Sequence, residues 1–248
     1  MPVRLIRVFT DGPLEAGQLV PLNESSAHHL RTVLRLKAGQ EIMLFNGMGG
    51  EYLARIHSIN KKSLTLEVIR YDAIDRESSL SITLAQGISK GQRMDYSIQK
   101  AVELGVDNIQ PVTTERCTVR QKGNRTDRKN THWQGVIASA AEQSGRTRFP
   151  GLMEPKSLNE YLKQAPGSAL KLVLDPLANN ELCDLQPQGQ EIHLLIGPEG
   201  GLSEQEIIAA KDAGFQPIKM GPRILRTETA GVTAIAIMQA LWGDLCKT

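Results

Sequence analysis

The chain has 248 residues, of which 40% are hydrophobic and 23% are charged, and its formal net charge is +2. This length supports one large or two modest domains with an ample core. No apolar run reaches about 18 residues and the N-terminus lacks a signal-peptide core, so we expect no membrane span and no export signal. Three widely separated cysteines fit neither a disulfide framework nor a metal site, so we expect no metal and a reducing cytoplasm.

The pattern of residues 1–72 predicts short β-strands and one helix. Apolar alternation places strands at 41–45, 52–59 and 64–69. Asn46-Gly47 is a strong turn signal after the first of them. Ser25 or Ser26 is expected to cap a helix that continues to Leu34. This combination indicates a small barrel, followed by a polar, aperiodic linker.

After Ser79, the predicted strands and helices alternate. Strands are predicted at 80–85, 108–112, 169–174, 191–196 and 215–220, and helices at 94–104, 133–143, 158–164, 203–213 and 228–242. Ser203 and Glu206 have the spacing of a capping box, and Gly214 is expected to end that helix. Alternation of this kind predicts an α/β fold whose mostly parallel sheet has helices on both faces.

Two glycine-rich turns follow the last two predicted strands. The first turn covers residues 197–203 and reads Gly-Pro-Glu-Gly-Gly-Leu-Ser, and the second covers 221–226 and reads Gly-Pro-Arg-Ile-Leu-Arg. Glycine allows a backbone to approach a ligand closely and to adopt a positive φ. Two such loops at successive strand ends of one sheet predict the walls of a single crevice. Neither turn has the pattern of a P-loop or of a dinucleotide-binding loop.

The charge around the first turn favours a cationic or neutral ligand. Residues 172–210 contain no Lys or Arg but seven Asp and Glu residues, which suits a pyrophosphate poorly. An acidic surface with two tight turns is the alternative interpretation.

Basic residues cluster in two other places. The first set is Arg4, Arg7, Arg31, Arg35 and Lys37, and the second is Arg116, Arg120, Lys122, Arg125, Arg128 and Lys129. Phosphate contacts need such clusters, although solvated loop and helix faces are the alternative. Aromatic residues make up only 4% of the chain, which argues against a sheet that stacks several bases.

The two turns closely resemble those of the SPOUT methyltransferases, and within them the RsmE family, which methylates N3 of a uridine in 16S ribosomal RNA. Further similarity lies in residues 28–35, 86–105, 115–117 and 142–146, so the resemblance spans nearly the whole chain. It implies a PUA-like RNA-binding β-barrel in residues 1–72 and a SPOUT methyltransferase domain in 73–248. It also implies a C-terminal trefoil knot, whereas the pattern alone predicts an ordinary doubly wound sheet.

The resemblance implies S-adenosyl-L-methionine as the cofactor and 16S rRNA, within the small ribosomal subunit, as the substrate. The expected cofactor-binding residues are Leu174, Ile196, Gly197, Pro198, Glu199, Gly200, Gly201, Met220, Gly221, Leu225, Arg226 and Thr229. Arg226 and Glu199 are the expected catalytic residues. Arg226 would stabilise negative charge on a uracil carbonyl, and Glu199 would accept a proton or hold the amino group of methionine. A salt bridge from Arg226 to Glu199 or Glu228 is the alternative.

The expected RNA-binding residues combine the basic clusters with the matching segments. They are Arg4, Arg7, His28, Arg31, Arg35, Lys90, Arg93, Arg116, Arg120 and Arg146. A catalytically inactive ribosome- or RNA-binding protein of the same fold is a second hypothesis, which the intact turns oppose.

A remote third hypothesis is an α/β serine hydrolase. Residues 87–91 read Gly-Ile-Ser-Lys-Gly and match a nucleophile elbow centred on Ser89, with Asp175 and His193 following in the order of a triad. The chain has no His-Gly-Gly-Gly segment for an oxyanion hole, and so short a pattern arises easily by chance.

Residues 229–242 contain no charged side chain. A surface helix of a monomer normally shows a polar stripe, so we expect a partner to cover this helix. A second copy of the chain is the simplest cover and predicts a homodimer, as in SPOUT enzymes generally. A helix buried within one subunit is the alternative.

Overall fold

In this computed structural model, the described residues are 5–60, 63–118 and 124–246, and the side chains of 124–126 are not considered. The chain forms two compact units. The first comprises Met1–Glu77 and Ala141–Phe149, and the second comprises Ser78–Ala140 and Pro150–Thr248. The first unit therefore takes in a short segment from the middle of the chain.

The first unit contains a five-stranded sheet. Its strands are β1 (Arg7–Phe9), β2 (Leu19–Pro21), β3 (Glu41–Phe45), β4 (Glu51–Ile59) and β5 (Leu64–Asp72). Their order is β1-β3-β4-β5-β2, with β1 and β3 parallel and the other pairs antiparallel. Alternate residues of β5, namely Leu64, Leu66 and Val68, are buried in the core of this unit, so the period-two pattern marks the inner face of the strand.

One short helix follows β2. Helix α1 (Glu24–His28) continues into a π-helical turn (His29–Val33). The predicted cap at Ser25 or Ser26 is wrong, because Asn23 has the extended backbone of a cap and its side chain accepts the N–H of Ser26 at 2.8 Å. Asparagine is as good a cap as serine, and its position lets the helix start earlier.

The second unit contains eight described strands that pair in parallel. They are β6 (Ser81–Gly87), β7 (Asn108–Thr113), β8 (Gly151–Leu152), β9 (Lys156–Ser157), β10 (Leu170–Leu174), β11 (Asn180–Glu181), β12 (Glu191–Ile196) and β13 (Gln216–Lys219). The order is β11-β13-β10-β12-β6-β7-β8, and β9 also pairs with β7. The predicted parallel sheet is confirmed, and the trefoil knot stays an implication of the family resemblance.

Five helices belong wholly or mainly to the second unit. They are α2 (Gln92–Glu103), α3 (Asn124–Ser144), α4 (Leu158–Gln164), α5 (Glu204–Asp212) and α6 (Thr227–Leu241), with a 3₁₀ turn at Leu182–Asp184. The capping box of Ser203 and Glu206 is present at the start of α5, and Gly214 follows that helix with a φ of +85°. Both predictions about this helix are confirmed, because capping and termination depend on local residues.

The strands around the centre of this sheet are continuous apolar runs. Leu172 and Val173 in β10 and Leu194, Leu195 and Ile196 in β12 are at most 2% exposed. Strands covered on both faces show this composition rather than alternation. The two glycine-rich turns were expected at the ends of successive strands of the sheet. They follow β12 and β13, but β10 lies between these two strands.

Candidate functional site

A cavity of about 580 Å³ lies in the second unit, beside the carboxyl ends of β10 and β12. Parallel neighbouring strands end at the same edge of a sheet, so the loops after them converge. The lining includes the first glycine-rich turn, residues 224–228 of the second turn and the start of α6, and residues 174–177 after β10. A smaller cavity of about 80 Å³ lies between residues 174–176 and the rest of the second turn.

Most of the predicted cofactor-binding residues line these cavities. The main cavity is lined by Leu174, Ile196, Gly197, Pro198, Glu199, Gly200, Gly201, Leu225 and Arg226. Met220 and Gly221 line the smaller cavity instead. Thr229 lies exposed on α6 and belongs to neither lining.

The first glycine-rich turn is held in one conformation by its own backbone and by α6. Gly201 has a φ of +70° and donates its N–H to the carbonyl oxygen of Pro198 at 2.8 Å. The hydroxyl of Thr227 donates to the carbonyl oxygen of Gly197 at 2.6 Å. A Cβ atom on Gly197 would lie 2.9 Å from the backbone of Gly201. The turn is therefore preorganised and needs glycine at both ends.

The carboxylate of Glu199 is already paired. It accepts the backbone N–H of Lys90 at 2.9 Å and a guanidinium N–H of Arg93 at 3.1 Å. Partial burial opposes its ionisation, but these hydrogen bonds and the charge of Arg93 outweigh burial and lower the pKa of Glu199. A carboxyl group with a lowered pKa is a weak proton acceptor at neutral pH. The geometry therefore favours the holding role predicted for Glu199 over the role of base.

Arg226 is exposed and lines the main cavity at the entry to α6. Among the described residues, its guanidinium has no ion pair or hydrogen bond, so the predicted alternative of a salt bridge with Glu199 or Glu228 is not formed. Arg93 contacts both carboxylates instead, at 3.1 Å and 3.9 Å. The cation of Arg226 is thus available to a ligand.

Two of the predicted RNA-binding residues are buried in the first unit, which corrects their assignment. The side chains of Arg7 and Arg146 are each 7% exposed. Arg7 donates to the carbonyl oxygens of Ala141, Glu142 and Arg146, and Arg146 forms an ion pair with Glu77 at 2.6 Å. Such buried cations are satisfied within the fold and offer no donor to a phosphate.

The other predicted RNA-binding residues occupy different surroundings. His28 and Arg35 are exposed, and Arg31 donates to the carbonyl oxygen of Asn60 at 2.9 Å. In the second unit, Lys90 is exposed, whereas Arg93 and Arg116 line the main cavity. Arg116 donates to the carbonyl oxygen of Gly200 at 3.0 Å and so supports the first turn. Arg4 and Arg120 lie outside the described residues.

The hydrolase hypothesis is wrong. Ser89 is buried, and its hydroxyl donates to the carbonyl oxygen of Gly87 at 3.3 Å. The two ring nitrogens of His193 lie 2.8 Å from the hydroxyl of Tyr161 and 3.4 Å from the carboxylate of Glu191. The histidine is a buried structural group with its own partners, so it cannot activate Ser89.

The loop after β10 is part of the site, although the sequence pattern did not predict it. Asp175, Pro176 and Leu177 line the main cavity, and Leu177 is 87% exposed although it is apolar. The signal was present, because an Asp-Pro pair follows the predicted strand at 169–174. Ile224 in the second turn is similarly 84% exposed and lines the same cavity, as does Glu228.

Two family models match the chain. A model of an RNA methyltransferase domain matches residues 76–239, and a model of an RNA methyltransferase PUA domain matches residues 22–69. A ribosomal RNA small subunit methyltransferase E from Buchnera aphidicola (Schizaphis graminum) is 36% identical over 245 residues, which cover 99% of this chain and 100% of the relative.

Two solved structures superpose closely on the chain. The ribosomal RNA small subunit methyltransferase E from Neisseria gonorrhoeae, bound to S-adenosyl methionine, has 42% identity and a TM-score of 0.89 and covers 97% of this chain and 99% of its own. A Legionella pneumophila structure in complex with the bound cofactor SAM has 41% identity and a TM-score of 0.93, and the match covers 98% of this chain and 100% of that chain.

Among the described residues, no helix has both the length and the apolar composition that a membrane span requires.

Proposed function

Because this chain belongs to the ribosomal RNA small subunit methyltransferase E family, we propose that it transfers a methyl group from S-adenosylmethionine to N3 of a uridine in 16S rRNA. The observation that carries the proposal is the cavity of about 580 Å³ between the two glycine-rich turns. A crevice between loops at the carboxyl ends of parallel strands is the usual ligand site of an α/β sheet.

The residues of this cavity fit S-adenosylmethionine. Gly197, Gly200 and Gly201 expose backbone groups without side chains, which suits the edge of an adenine ring. Leu174, Ile196 and Leu225 supply apolar contacts. Bound there, the cofactor supplies an electrophilic methyl group on a sulfonium sulfur. The protein must hold the reacting atoms in line and exclude water.

Arg226 and Glu199 have the proposed roles of catalytic cation and holding carboxylate. Uridine N3 carries a proton near neutral pH, so a cation beside a uracil carbonyl would stabilise the anion that forms when this proton passes to water. The place of Arg226 in the cavity lining supports this role, as does the lack of an ion pair to its guanidinium within the described part of the chain. Glu199, paired with Arg93 and the N–H of Lys90, would orient the polar end of the cofactor.

Residues 1–72 are proposed to be the RNA-binding part, with residues 73–248 as the methyltransferase part. The match of residues 22–69 to a PUA domain of RNA methyltransferases supports this division. Arg31 and Arg35 follow helix α1 and are the cations proposed to contact phosphates, and His28 is the last residue of that helix. The substrate would be 16S rRNA within the small ribosomal subunit in the cytoplasm, where such particles are made.

We also propose a homodimer. One side of α6 stays partly exposed in the single chain, at Thr233, Ala236, Ile237, Ala240 and Leu241, and none of these residues is charged. Apolar helix faces of this kind are covered by a second subunit more readily than by water. Light scattering at micromolar concentration should give twice the chain mass of 27.2 kDa. A stable 27.2 kDa species that retains activity would reject the dimer.

The proposed activity is tested by mass mapping of modified nucleotides in ribosomal RNA, with and without the gene. Loss of a single N3-methyluridine from 16S rRNA, restored by the gene, is the expected result. Purified protein should restore the methyl group to unmodified small subunits when S-adenosylmethionine is present. An unchanged 16S rRNA would contradict the proposal.

A further inference from the structure

The charged groups of the main cavity are mostly paired with one another or with the backbone. They are the carboxylates of Asp175, Glu199, Glu204 and Glu228 and the guanidinium groups of Arg93, Arg116 and Arg226. Asp175 accepts the N–H of Leu177 in its own turn at 2.9 Å, and Glu204 is exposed on α5. Glu199 is held by Arg93 and by the N–H of Lys90. Glu228 differs from these three carboxylates in its surroundings.

The side chain of Glu228 is mostly buried, but its carboxylate lies 3.9 Å from the guanidinium of Arg93. Its side chain is 16% exposed, and its Oε1 atom lies 3.9 Å from Nε of Arg93, which is too long for a hydrogen bond. Its Oε2 atom is buried and has no hydrogen-bond partner among the described residues. An unpaired buried carboxylate oxygen is costly in a folded protein. Arg93 is therefore shared between two carboxylates, and it lies closer to Glu199, at 3.1 Å, than to Glu228, at 3.9 Å.

The arrangement suits a cation in the cavity. We infer that Glu228 supplies a fixed negative charge that favours the positively charged sulfonium of S-adenosylmethionine over the neutral thioether of the product, S-adenosylhomocysteine. This inference rests on the proposed function and adds a specificity-determining residue to the same site. Away from bulk water, a charge of this kind acts over several ångströms without direct contact.

Glu228 also lies in the first turn of α6, where a carboxylate interacts favourably with the helix dipole. A purely structural role of this kind predicts that its loss weakens all ligands equally. A charge-selective role predicts that the ratio of the affinities for cofactor and product changes. The ratio of the affinities for cofactor and product therefore distinguishes the two roles, whereas a measurement of activity does not.

The test is calorimetry on the full-length protein with three ligands: S-adenosylmethionine, S-adenosylhomocysteine and sinefungin. In sinefungin, a carbon that bears an ammonium group replaces the methylated sulfonium sulfur. Glu228→Gln should lower the affinity for S-adenosylmethionine and sinefungin about five- to tenfold and that for S-adenosylhomocysteine less than twofold. Glu228→Asp retains the charge and should retain the ratio. Asp212→Asn makes the same charge change at the exposed end of α5 and is the matched control.

An equal loss for all three ligands, or no loss for any, would overturn the inference in favour of a structural role. Glu228→Met is a second neutral variant for use if the glutamine variant does not fold, and it should change the ratio in the same direction. Failure of the unchanged protein to bind any of the three ligands would overturn the proposed function itself. That outcome is distinct, because it appears before any substitution is made.

Discussion

Thr227 joins α6 to the first glycine-rich turn, because its hydroxyl donates to the carbonyl oxygen of Gly197 at 2.6 Å across 30 residues of sequence. The same hydroxyl accepts the side-chain amide of Gln86 at 2.9 Å. Thr227 is 8% exposed and Gln86 is fully buried. The two hydrogen bonds therefore connect the end of β6, the turn and the helix in one buried chain.

Thr227→Val keeps the shape of the side chain and should destabilise the protein by about 1–3 kcal/mol. It removes the hydroxyl that donates to the carbonyl oxygen of Gly197 and one of two acceptors of the buried Gln86 amide, which still donates to the carbonyl oxygen of Gly87. Thr227→Ser keeps the hydroxyl and is the control. Urea unfolding measures the loss, and calorimetry with S-adenosylmethionine should show weaker binding in the valine variant alone. Equal stability of the two variants would show that these hydrogen bonds add nothing.

Substitution of the turn glycines should abolish cofactor binding for two different reasons. Gly201→Val and Gly201→Ala force a side chain into a backbone with a φ of +70°, at about 1–2 kcal/mol, and place it in the cavity. Gly197→Ala brings a Cβ atom within 2.9 Å of the turn itself. Gly167→Ala meets no atom within 4 Å and is the control. Unchanged affinity in a folded Gly201→Val protein would contradict the assignment of the site.

Arg226→Ala should lower turnover far more than cofactor affinity. The guanidinium is exposed in the cavity, so its loss removes a charge that acts on the reacting uracil and disturbs little of the fold. Single-turnover kinetics and calorimetry on the same preparation separate the two effects. Arg226→Lys restores the charge without the planar fork and should recover part of the rate. A loss confined to cofactor affinity would remove Arg226 from the chemical step.

Loss of charge should weaken RNA binding at Arg35 and lower the stability of the fold at Arg7. Arg35 is exposed, so Arg35→Gln should weaken RNA binding and reduce the slope of log affinity against log salt by about one. Arg7 is buried between Glu51 and three carbonyl oxygens, so Arg7→Gln should lower the free energy of unfolding by about 3 kcal/mol or more. An unaltered salt slope for the Arg35 variant would exclude a phosphate contact there.

His193 should make stability depend on pH on the acidic side of neutrality. Burial lowers the pKa of His193, the nearby charge of Lys171 adds to that effect, and Glu191 opposes it only in part. The folded protein therefore binds this proton less readily than the unfolded chain, whose histidine titrates near 6.5. The contribution of His193 to the free energy of unfolding is fully present above about pH 6.5 and decreases as the pH falls below that value.

Urea unfolding between pH 5 and 7.5 measures this dependence. His193→Gln should show a shallower loss toward low pH than the unchanged protein. Parallel curves for the two proteins would mean that His193 is protonated as readily in the folded state as in the unfolded state.

Features that depend on neighbouring residues could be predicted from the sequence. The strands at 41–45 and 191–196 and the helix at 158–164 have the predicted bounds, because periodicity and turn residues act locally. The capping box at Ser203 is equally local. The residue sequence of the two glycine-rich turns was also sufficient to predict a ligand-binding crevice and to show the family resemblance.

Tertiary structure alone decided which charged residues share a partner. Arg93 and Glu199 are 106 positions apart, and Arg7 and the carbonyl oxygen of Ala141 are 134 positions apart. No periodicity links such residues, so their pairing depends on the topology of each unit. Placement of β10 between β12 and β13 brings residues 174–177 into the site. Burial also gives the two arginines different roles. Arg7 is enclosed by carbonyl groups, whereas Arg226 faces an open cavity.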